Sequence, residues 1–272
     1  MKRGLLHKGR PLIMGILNVT PDSFFDGGRY LKKDEALQHA LRMVEDGADI
    51  IDVGGESTRP FSEPVDVCEE LKRVVPVIEA IRSRSNIAIS IDTYRSEVAE
   101  KACNAGAEIV NDISGLGFDD KMAETIARLG AYAVIMHIKG TPRNMQKNPY
   151  YDDVISEIKS YFSERTEFAR SRGMDDKKII LDPGIGFGKR VEDNLRIIKE
   201  LRVFKELGMP LLIGTSMKSF IGTVTDCELN ERIDGTLASI AISLWNGADI
   251  IRVHDVKKAS RVLRLVDAVM RS

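Results

Sequence analysis

The length, composition and charge of the chain narrow its possible functions. It has 272 residues, of which 43% are hydrophobic and 30% charged, and its formal net charge at pH 7 is -1. A net charge this small gives no reason to expect nucleic acid or an anionic membrane as a partner. A (β/α)8 barrel typically uses about 250 residues as one domain, so the length fits a single domain of that kind.

The cysteines and the N-terminal segment indicate where the protein works. Cys68, Cys103 and Cys227 are scattered without C-x-x-C spacing, which favours neither a disulfide framework nor a thiolate zinc site. Residues 1–7 include basic side chains, but no continuous apolar segment follows them. No apolar run approaches the about 18 residues of a membrane-spanning helix. We therefore expect a protein of the reducing cytoplasm that is neither secreted nor inserted in a membrane.

Short apolar runs typical of β-strands recur along the whole chain. In chain order they are 12–17, 50–53, 87–91, 108–110, 132–136, 179–181, 211–213 and 250–253. The segments between them carry apolar side chains at helical spacing, for example Leu37, Leu41 and Val44. Strands that alternate with helices predict a parallel α/β sheet.

One short sequence recurs at the start of several predicted strands. GADII begins at residues 47 and 247, GAEIV begins at residue 106, and GAYAV at residue 130 is a looser copy. Glycine suits the left-handed conformation that ends a helix, so each copy predicts a helix end followed by a strand. Reuse of one connection favours a barrel over an open sheet. Since no Pro/Gly/Ser-rich linker divides the chain, we predict a single-domain (β/α)8 TIM barrel over residues 1–272.

Polar side chains collect at the carboxyl ends of the predicted strands, where barrels build their active sites. Any one of these residues could be a turn former or a helix N-cap. Eight strands that each deliver such a group point instead to a site. In chain order the residues are Asn18, Glu56 to Arg59, Asp92, Asn111, His137, Asp182, Ser216 to Ser219, Arg252 and His254.

A glycine-rich tract at residues 182–189 approaches two nucleotide-binding motifs without matching either. Pro183 stands where the first glycine of a P-loop belongs, and Arg190 follows Lys189 where Ser or Thr is required. The G-x-G-x-G spacing also differs from the G-x-G-x-x-G dinucleotide fingerprint. His137 and His254 have no carboxylate at metal-ligand spacing. The sequence therefore supports neither a nucleotide loop nor a histidine metal site, and no nucleophilic triad is indicated.

The composition of the polar set suggests the chemistry of a ligand. Buried carboxylates such as Asp92 and Asp182 need donors, and a flat heterocycle with adjacent N–H and NH₂ groups supplies them. A second part of the ligand would be an anion such as a phosphate ester. The cations available for it are Arg59, Lys218, Arg252 and His254.

Two long segments of the chain are distinctive, MGILNVTPDSF at 14–24 and DVGGESTRP at 52–60. They resemble the signature loops of the dihydropteroate synthase family. The likeness continues in the family's order through SIDT at 90–93, NDI at 111–113, MHIKGTP at 136–142, the tract at 182–189, KSFIG at 218–222 and RVHD at 252–255. It covers nearly the whole chain, and the two long loops in combination with the others are highly specific.

The resemblance implies a (β/α)8 barrel that joins p-aminobenzoate to 6-hydroxymethyl-7,8-dihydropterin pyrophosphate. The products would be 7,8-dihydropteroate, on the folate route, and pyrophosphate. The partners would be these small molecules, and the cofactor would be Mg²⁺, with Asn18 as its expected protein contact. We also expect a homodimer.

The resemblance assigns roles to residues of this chain. The pterin ring would be held by Asp92, Asn111, Asp182 and Lys218. Arg252 would cover the ring and, with Asn18, Arg59 and His254, bind the pyrophosphate; these four and Lys218 form the expected catalytic set. The aminobenzoate would be surrounded by Thr58, Pro60, Phe187, Lys218 and Ser219. Phe24 and Asp26 would belong to a mobile first loop.

The implied chemistry is displacement at the pterin methylene by a weakly basic amine. The electron-rich dihydropterin stabilises positive charge there, so departure of pyrophosphate can run ahead of attack. Two positions depart from the family pattern. Phe61 follows Pro60 where glycine is usual, and Met217 precedes Lys218 where arginine is usual.

Two other functions fit parts of this pattern. A pterin-binding methyltransferase on the same barrel would keep counterparts of Asp92, Asn111 and Asp182, but it would not need the 56–60 segment or Lys218 and Ser219. A non-catalytic pterin-binding paralogue would be consistent with the missing cation at Met217. Binding and activity measurements separate these alternatives.

Overall fold

The computed structural model describes residues 9–20, 29–57 and 65–272. In that part of the chain, eight parallel strands lie in the order β6-β5-β4-β3-β2-β1-β8-β7. Their bounds are β1 Leu12–Asn18, β2 Ile50–Gly54, β3 Ala88–Asp92, β4 Ile109–Asp112, β5 Tyr132–Met136, β6 Ile179–Asp182, β7 Leu212–Ile213 and β8 Ile250–Val253. A parallel bridge between Leu181 and Leu211 joins the two ends of this order, so the sheet closes into a barrel. The predicted (β/α)8 fold is confirmed.

The helices surround the barrel and follow the strands in turn. They are α1 Arg29–Glu45, α2 Val67–Arg84, α3 Ser96–Ala105, α4 Met122–Leu129, α5 Val154–Ser171, α6 Val191–Lys199, α7 Ser219–Thr225, α8 Ile233–Trp245 and α9 Val256–Arg271. Short 3-10 helices occur at Asp176–Lys178, Leu201–Leu207 and Leu229–Glu231. In the described residues, none of these helices is both long and apolar enough to cross a membrane.

The glycine connections predicted from the repeated sequence are confirmed. Gly47, Gly106, Gly130 and Gly247 all have positive φ, between 64° and 121°. Each ends a helix and leads the chain into the next strand. An L-residue with a Cβ adopts this conformation only at a cost, which explains why the same residue type recurs.

The side chains of the strands separate two apolar layers. The larger layer fills the space between the strands and the helices and includes Ile51, Val53 and Ile91. Alternate residues face the barrel interior instead, since successive side chains of a strand point to opposite faces. The interior layer consists of Leu12, Met14, Ile50, Ala88, Ile109, Val134, Ile180, Leu212 and Ile250.

The interior changes from apolar to polar toward the carboxyl ends of the strands. On four strands, the residue two positions after the interior apolar residue also points into the barrel and is polar or charged. These residues are Asp52 on β2, Asn111 on β4, Asp182 on β6 and Arg252 on β8. The predicted strands ended too early, because Asn18, Asp92, Asn111 and Asp182 lie within strands and not after them. An apolar run marks only the apolar part of a strand, and these polar side chains continue the strand because they face the polar end of the barrel interior.

Candidate active site

An arginine held by two aspartates lies at the centre of the polar end of the barrel. The Nε of Arg252 donates to Asp52 Oδ2 at 2.6 Å, and its Nη2 donates to Asp92 Oδ2 at 2.6 Å. The side chains of the two aspartates are 0% and 7% exposed. Charged groups this deeply buried are stable only when they are paired, and the guanidinium meets both carboxylates at once.

Asn111 lies next to the Arg252 ion pairs. The parallel register of β3 and β4 places it opposite Asp92. Its Nδ2 donates to Asp52 Oδ2 at 3.0 Å. Since a carboxylate only accepts hydrogen bonds, this contact fixes which end of the amide is the nitrogen. The amide oxygen is therefore the atom that Asn111 can offer to a donor on a ligand.

Two of the buried carboxylates carry an oxygen without a partner among the described residues. These atoms are Asp52 Oδ1 and Asp92 Oδ1. A buried acceptor left unpaired costs about 1 to 3 kcal/mol, so the protein gains from a ligand that brings a donor to Asp92 Oδ1. Burial raises the pKa of Asp92 to about 7, against the opposing influence of Arg252.

Asp182 contributes a further carboxylate from the opposite side of the barrel. Its Oδ1 accepts a hydrogen bond from the Gly184 N–H at 2.7 Å, which ties the strand to the loop that follows it. Burial raises the pKa of Asp182 to about 6, while this backbone donor and the Lys218 ammonium act to lower it. We name the set Asp52, Asp92, Asn111, Asp182 and Arg252 the acidic floor.

The loop at residues 183–189 is held closely against its neighbours. A Cβ added at Gly184 would lie 2.0 Å from the His137 carbonyl oxygen, and one at Gly188 would lie 2.4 Å from that of Lys139. These contacts, together with positive φ at both glycines, exclude side chains there. The tract therefore uses its glycines for close backbone packing in this structure.

The buried side chain of Lys189 holds the same loop in place through hydrogen bonds. Its buried Nζ lies 2.9 Å from His137 Nδ1 and donates to the carbonyl oxygens of His137 and Phe187 at 3.2 and 3.1 Å. Additional bonds reach the loop from Gln146 Nε2 to Gly186 O at 2.8 Å and from Tyr151 Oη to Gly188 O at 2.8 Å. His137, a candidate from the sequence, thus has a structural role as the partner of Lys189.

Phe187 and Lys218 meet at the edge of the site. The Lys218 Nζ lies 4.2 Å from the centroid of the Phe187 ring, in cation-π distance. Lys218 immediately precedes α7, whose first residue is Ser219. We name Phe187, Lys218, Ser219, Ser216 and His254 the loop rim.

The remaining rim contact joins the loops after β7 and β8. The Ser216 Oγ lies 2.9 Å from His254 Nδ1 and accepts from the His254 backbone N–H at 3.3 Å. His254 is solvent-exposed, in contrast to the buried residues of the acidic floor.

Met217 has a positive φ of 60°, and its sulfur lies 3.8 Å from Thr236 Oγ1 on α8. The Met217 side chain thus contacts the outer helix layer.

Asn18 lies level with Asp92 at the end of the barrel. The register pairs Asn18 with Gly54 and Gly54 with Asp92. A Cβ added at Gly54 would be 3.6 Å from Asn18 Oδ1 and 3.7 Å from Asp92 Oδ2, so a glycine leaves room between these two oxygens.

Most of the site residues predicted from the sequence lie together in the structure. The structure brings nine of them to the carboxyl end of the barrel: Asn18, Asp92, Asn111, Asp182, Phe187, Lys218, Ser219, Arg252 and His254. Five lie outside the described residues: Phe24, Asp26, Thr58, Arg59 and Pro60. Phe61 also lies there.

Arg252 and Glu56 have partners that the sequence did not indicate. Arg252 binds two carboxylates, and its place over the pterin ring stays a prediction of the resemblance. Glu56 accepts from Arg95 Nη1 at 2.6 Å, and Arg95 Nη2 donates to Val65 O at 2.7 Å. Arg95 thereby holds both Glu56 and Val65, near the two ends of the undescribed segment 58–64.

Asp52 is the floor residue that the sequence reasoning missed. It stands inside the apolar run 50–53, a pattern that predicts a strand without showing which face its one charged residue occupies. Its side chain is fully buried. A signal was available, because a single charged residue in the middle of a buried parallel strand needs a paired partner.

Comparison with known proteins agrees with this geometry. A family model described as pterin binding enzyme matches residues 14–254. The chain is 47% identical over 266 residues to dihydropteroate synthase of Bacillus subtilis, covering 98% of this chain and 91% of that protein. The chain belongs to the dihydropteroate synthase family. The family resemblance seen in the sequence is therefore confirmed.

Solved structures of dihydropteroate synthases superpose closely on the chain. A Clostridium difficile dihydropteroate synthase, determined in the presence of pteroic acid, matches with a TM-score of 0.91 and 47% identity, covering 97% of this chain and 98% of that one. A Xanthomonas albilineans dihydropteroate synthase with 4-aminobenzoic acid matches with a TM-score of 0.92 and 40% identity, covering 98% and 95%. The shared barrel thus extends over nearly the full length of each chain.

Proposed function

We propose that the chain is a transferase that condenses 6-hydroxymethyl-7,8-dihydropterin pyrophosphate with p-aminobenzoate. The products are 7,8-dihydropteroate, which serves folate biosynthesis, and pyrophosphate. Membership of the dihydropteroate synthase family over nearly the whole chain supports this activity. The observation that carries it is the acidic floor, which offers carboxylate and amide oxygens from three strands, β3, β4 and β6, to one flat ligand.

The acidic floor suits the pterin ring. The ring presents adjacent N–H and NH₂ donors, and the partnerless oxygen of Asp92, together with Asp182 and the Asn111 amide oxygen, supplies acceptors in a buried setting. Hydrogen bonds between donors and ionised carboxylates are about twice as strong as neutral ones. The ionised carboxylates also stabilise positive charge that develops on the pterin as the pyrophosphate departs.

The loop rim suits the amine and the leaving group. Phe187 offers an apolar ring surface for an aromatic amine, with the Lys218 ammonium at this ring and Ser219, the first residue of α7, directly after Lys218. His254 and Lys218 supply donors or charge for anionic groups. Arg252 donates to the two carboxylates in the plane of its guanidinium, so the flat face of the group stays available to cover the ring.

Asn18 fits the role of a single protein contact to Mg²⁺. The described residues form no cluster of three or more acidic, histidine or cysteine side chains that could hold a metal by itself. Mg²⁺ binds well through one or two protein oxygens together with waters and substrate phosphates. Asn18 Oδ1, partly exposed beside Gly54, offers one such oxygen. Bound Mg²⁺ would neutralise charge on the departing pyrophosphate.

We also propose that the protein is cytoplasmic and that it is a homodimer. An apolar surface on α8 and α9 supports the dimer. Ile242 and Trp245 are 50% and 55% exposed on α8, and Leu265 and Val269 are 68% and 52% exposed on α9. Residues three or four apart share a helix face, so each helix presents two apolar side chains together. A second copy of the chain covering this surface would appear as a dimer in sedimentation velocity. Ile242→Glu should shift it to monomer.

Product formation tests the proposed activity. The protein is incubated with pterin pyrophosphate, p-aminobenzoate and Mg²⁺, and 7,8-dihydropteroate and pyrophosphate are measured together. Equal yields of both products support the proposal. Pterin binding without either product would favour the non-catalytic paralogue, and methyl transfer from a reduced folate would favour the methyltransferase.

A further inference from the structure

Asp52 makes two contacts that no other residue of the acidic floor makes together. Its Oδ2 accepts both the Asn111 amide at 3.0 Å and the Arg252 Nε at 2.6 Å. The side chain is 0% exposed and lies inside the barrel, one level below Gly54 on β2. It therefore contacts the residues that meet the ligand from the side opposite the barrel opening.

The contact with Asn111 decides what that amide presents to a ligand. An amide can rotate so that either its oxygen or its nitrogen faces the site. With Asp52 accepting from the nitrogen, the oxygen is directed elsewhere and remains an acceptor. The donor edge of a pterin requires an acceptor, so the wrong orientation would place two donors against each other.

The contact between Asp52 and Arg252 determines how much of the guanidinium's positive charge is left for Asp92 to neutralise. Asp52 and Asp92 share one guanidinium through different nitrogens, and each keeps one oxygen without a partner among the described residues. Without Asp52, the Arg252 charge would fall on Asp92 alone. Asp92 would then be a weaker acceptor for a pterin, because its carboxylate would be more fully occupied by Arg252.

Asp49 provides a comparison from the same region of the chain. It is also buried and paired with an arginine, since Arg10 donates to its two carboxylate oxygens at 2.9 Å each, and it accepts from the Ile13 N–H at 2.9 Å. Asp49 immediately precedes β2, at the opposite end of the barrel from the acidic floor. Its contacts are those of a purely structural ion pair.

We propose that Asp52 is a positioning residue of the pterin site, which orients the Asn111 amide and shares the Arg252 guanidinium so that Asp92 stays available to the ligand. This inference rests on the proposed function, because the ligand is the pterin of that reaction. Asp52 acts through its neighbours and does not replace any of the ring contacts.

The test compares Asp52→Asn with Asp49→Asn in the full chain. Binding of oxidised 6-hydroxymethylpterin is followed by its fluorescence, and steady-state rates are measured for both substrates. We expect Asp52→Asn to raise the pterin Kd at least about tenfold, with a matching rise in KM for the pterin pyrophosphate and a change below about twofold in KM for p-aminobenzoate. Asp49→Asn should leave all three within about twofold at temperatures where it is folded.

The pH dependence of binding provides a readout that a structural defect would not move. Asp92 is faced by Arg252 from β8, Asp52 from β2, Glu70 from α2 and Asp112 from β4, and the negative charge of Asp52 acts to raise the pKa of Asp92. Removing that charge should lower the pKa. The acid limb of pterin binding should then move to lower pH by roughly half a unit or more in Asp52→Asn, and it should not move in Asp49→Asn.

Each outcome decides the inference. A pterin Kd within twofold of wild type, or equal losses in Asp52→Asn and Asp49→Asn with no shift of the acid limb, would overturn it. If Asp52→Asn does not fold, Asp52→Thr keeps a strand-favouring side chain and one acceptor, and the same limits apply. A wild-type protein that binds no pterin would instead refute the proposed function.

Discussion

The acidic floor and the loop rim of the same site are built in different ways. Each floor residue is part of a strand, and the parallel register fixes its level relative to its neighbours, as for Asp92 and Asn111. Each rim residue lies in a loop or at its junction with a helix, as Phe187 and Lys218 do. The carboxylates of the floor are buried, and Arg252 pairs with two of them, whereas His254 of the rim is exposed.

This difference indicates a division of labour. Side chains on strands change position little, so the floor can hold a rigid pterin with few adjustments and gains most from fully formed hydrogen bonds. Loops tolerate more change, and the rim can admit a second substrate and release a product. Changes in the floor should therefore cost pterin affinity. Changes in the rim, apart from Lys218, which the resemblance also assigns to the pterin, should affect the amine and cost less.

Asp182→Asn should have the largest effect. The new amide can keep its oxygen on the Gly184 N–H but then presents NH₂ toward the donor edge of the pterin. An unpaired buried polar contact of this kind costs about 2 to 5 kcal/mol, or roughly 30-fold to several thousand-fold in Kd. Titration calorimetry with the pterin pyrophosphate and Mg²⁺ measures the loss. Binding within threefold of wild type would place the ring elsewhere.

Acidification should weaken pterin binding next most strongly. The pKa values of Asp92 and Asp182 are raised to about 7 and about 6 by burial, so these groups take up protons as the pH falls through that range. A protonated carboxyl loses acceptor capacity, and the Kd for the uncharged hydroxymethylpterin should rise roughly tenfold from pH 8 to pH 6. A Kd that is flat over this interval would mean that the ring does not depend on these carboxylates.

Lys189→Met tests the loop rim through the residue that fastens it. The substitution leaves the carbonyl oxygens of His137 and Phe187 without their buried donor, at about 1 to 3 kcal/mol each in stability. We expect a lower Tm and a rise of about fivefold in KM for p-aminobenzoate, since Phe187 loses its support, with pterin Kd nearly unchanged. Lys189→Arg serves as the control that keeps N–H donors at this position. An equal loss of pterin affinity would show that floor and rim are not separable.

Met217→Arg should have the smallest effect. The side chain lies against Thr236 on α8, and Arg232 already donates to the Met217 carbonyl at 3.3 Å. An arginine here would be directed to the outer layer, so kcat/KM for the pterin pyrophosphate should change less than about fivefold at moderate salt. A larger gain that shrinks with ionic strength would indicate that position 217 faces the leaving group.

The barrel itself was accessible from the sequence because its strands are apolar runs and its helix ends repeat one glycine sequence. Asp92, Asn111 and Asp182 were found because each stands where an apolar run stops. Asp52 was not, because its place inside a run does not reveal which face it occupies without the register. The contact between Lys189 and His137 joins residues 52 positions apart, and only the packing of two loops brings them together.

Parallel titrations of Asp182→Asn and Lys189→Met with hydroxymethylpterin and then with p-aminobenzoate test the division between floor and rim most directly. The account predicts that Asp182→Asn loses pterin affinity at least 30-fold, while Lys189→Met keeps pterin affinity within about twofold and weakens only the second substrate. Comparable pterin losses in both variants, or retained pterin binding in Asp182→Asn, would contradict it.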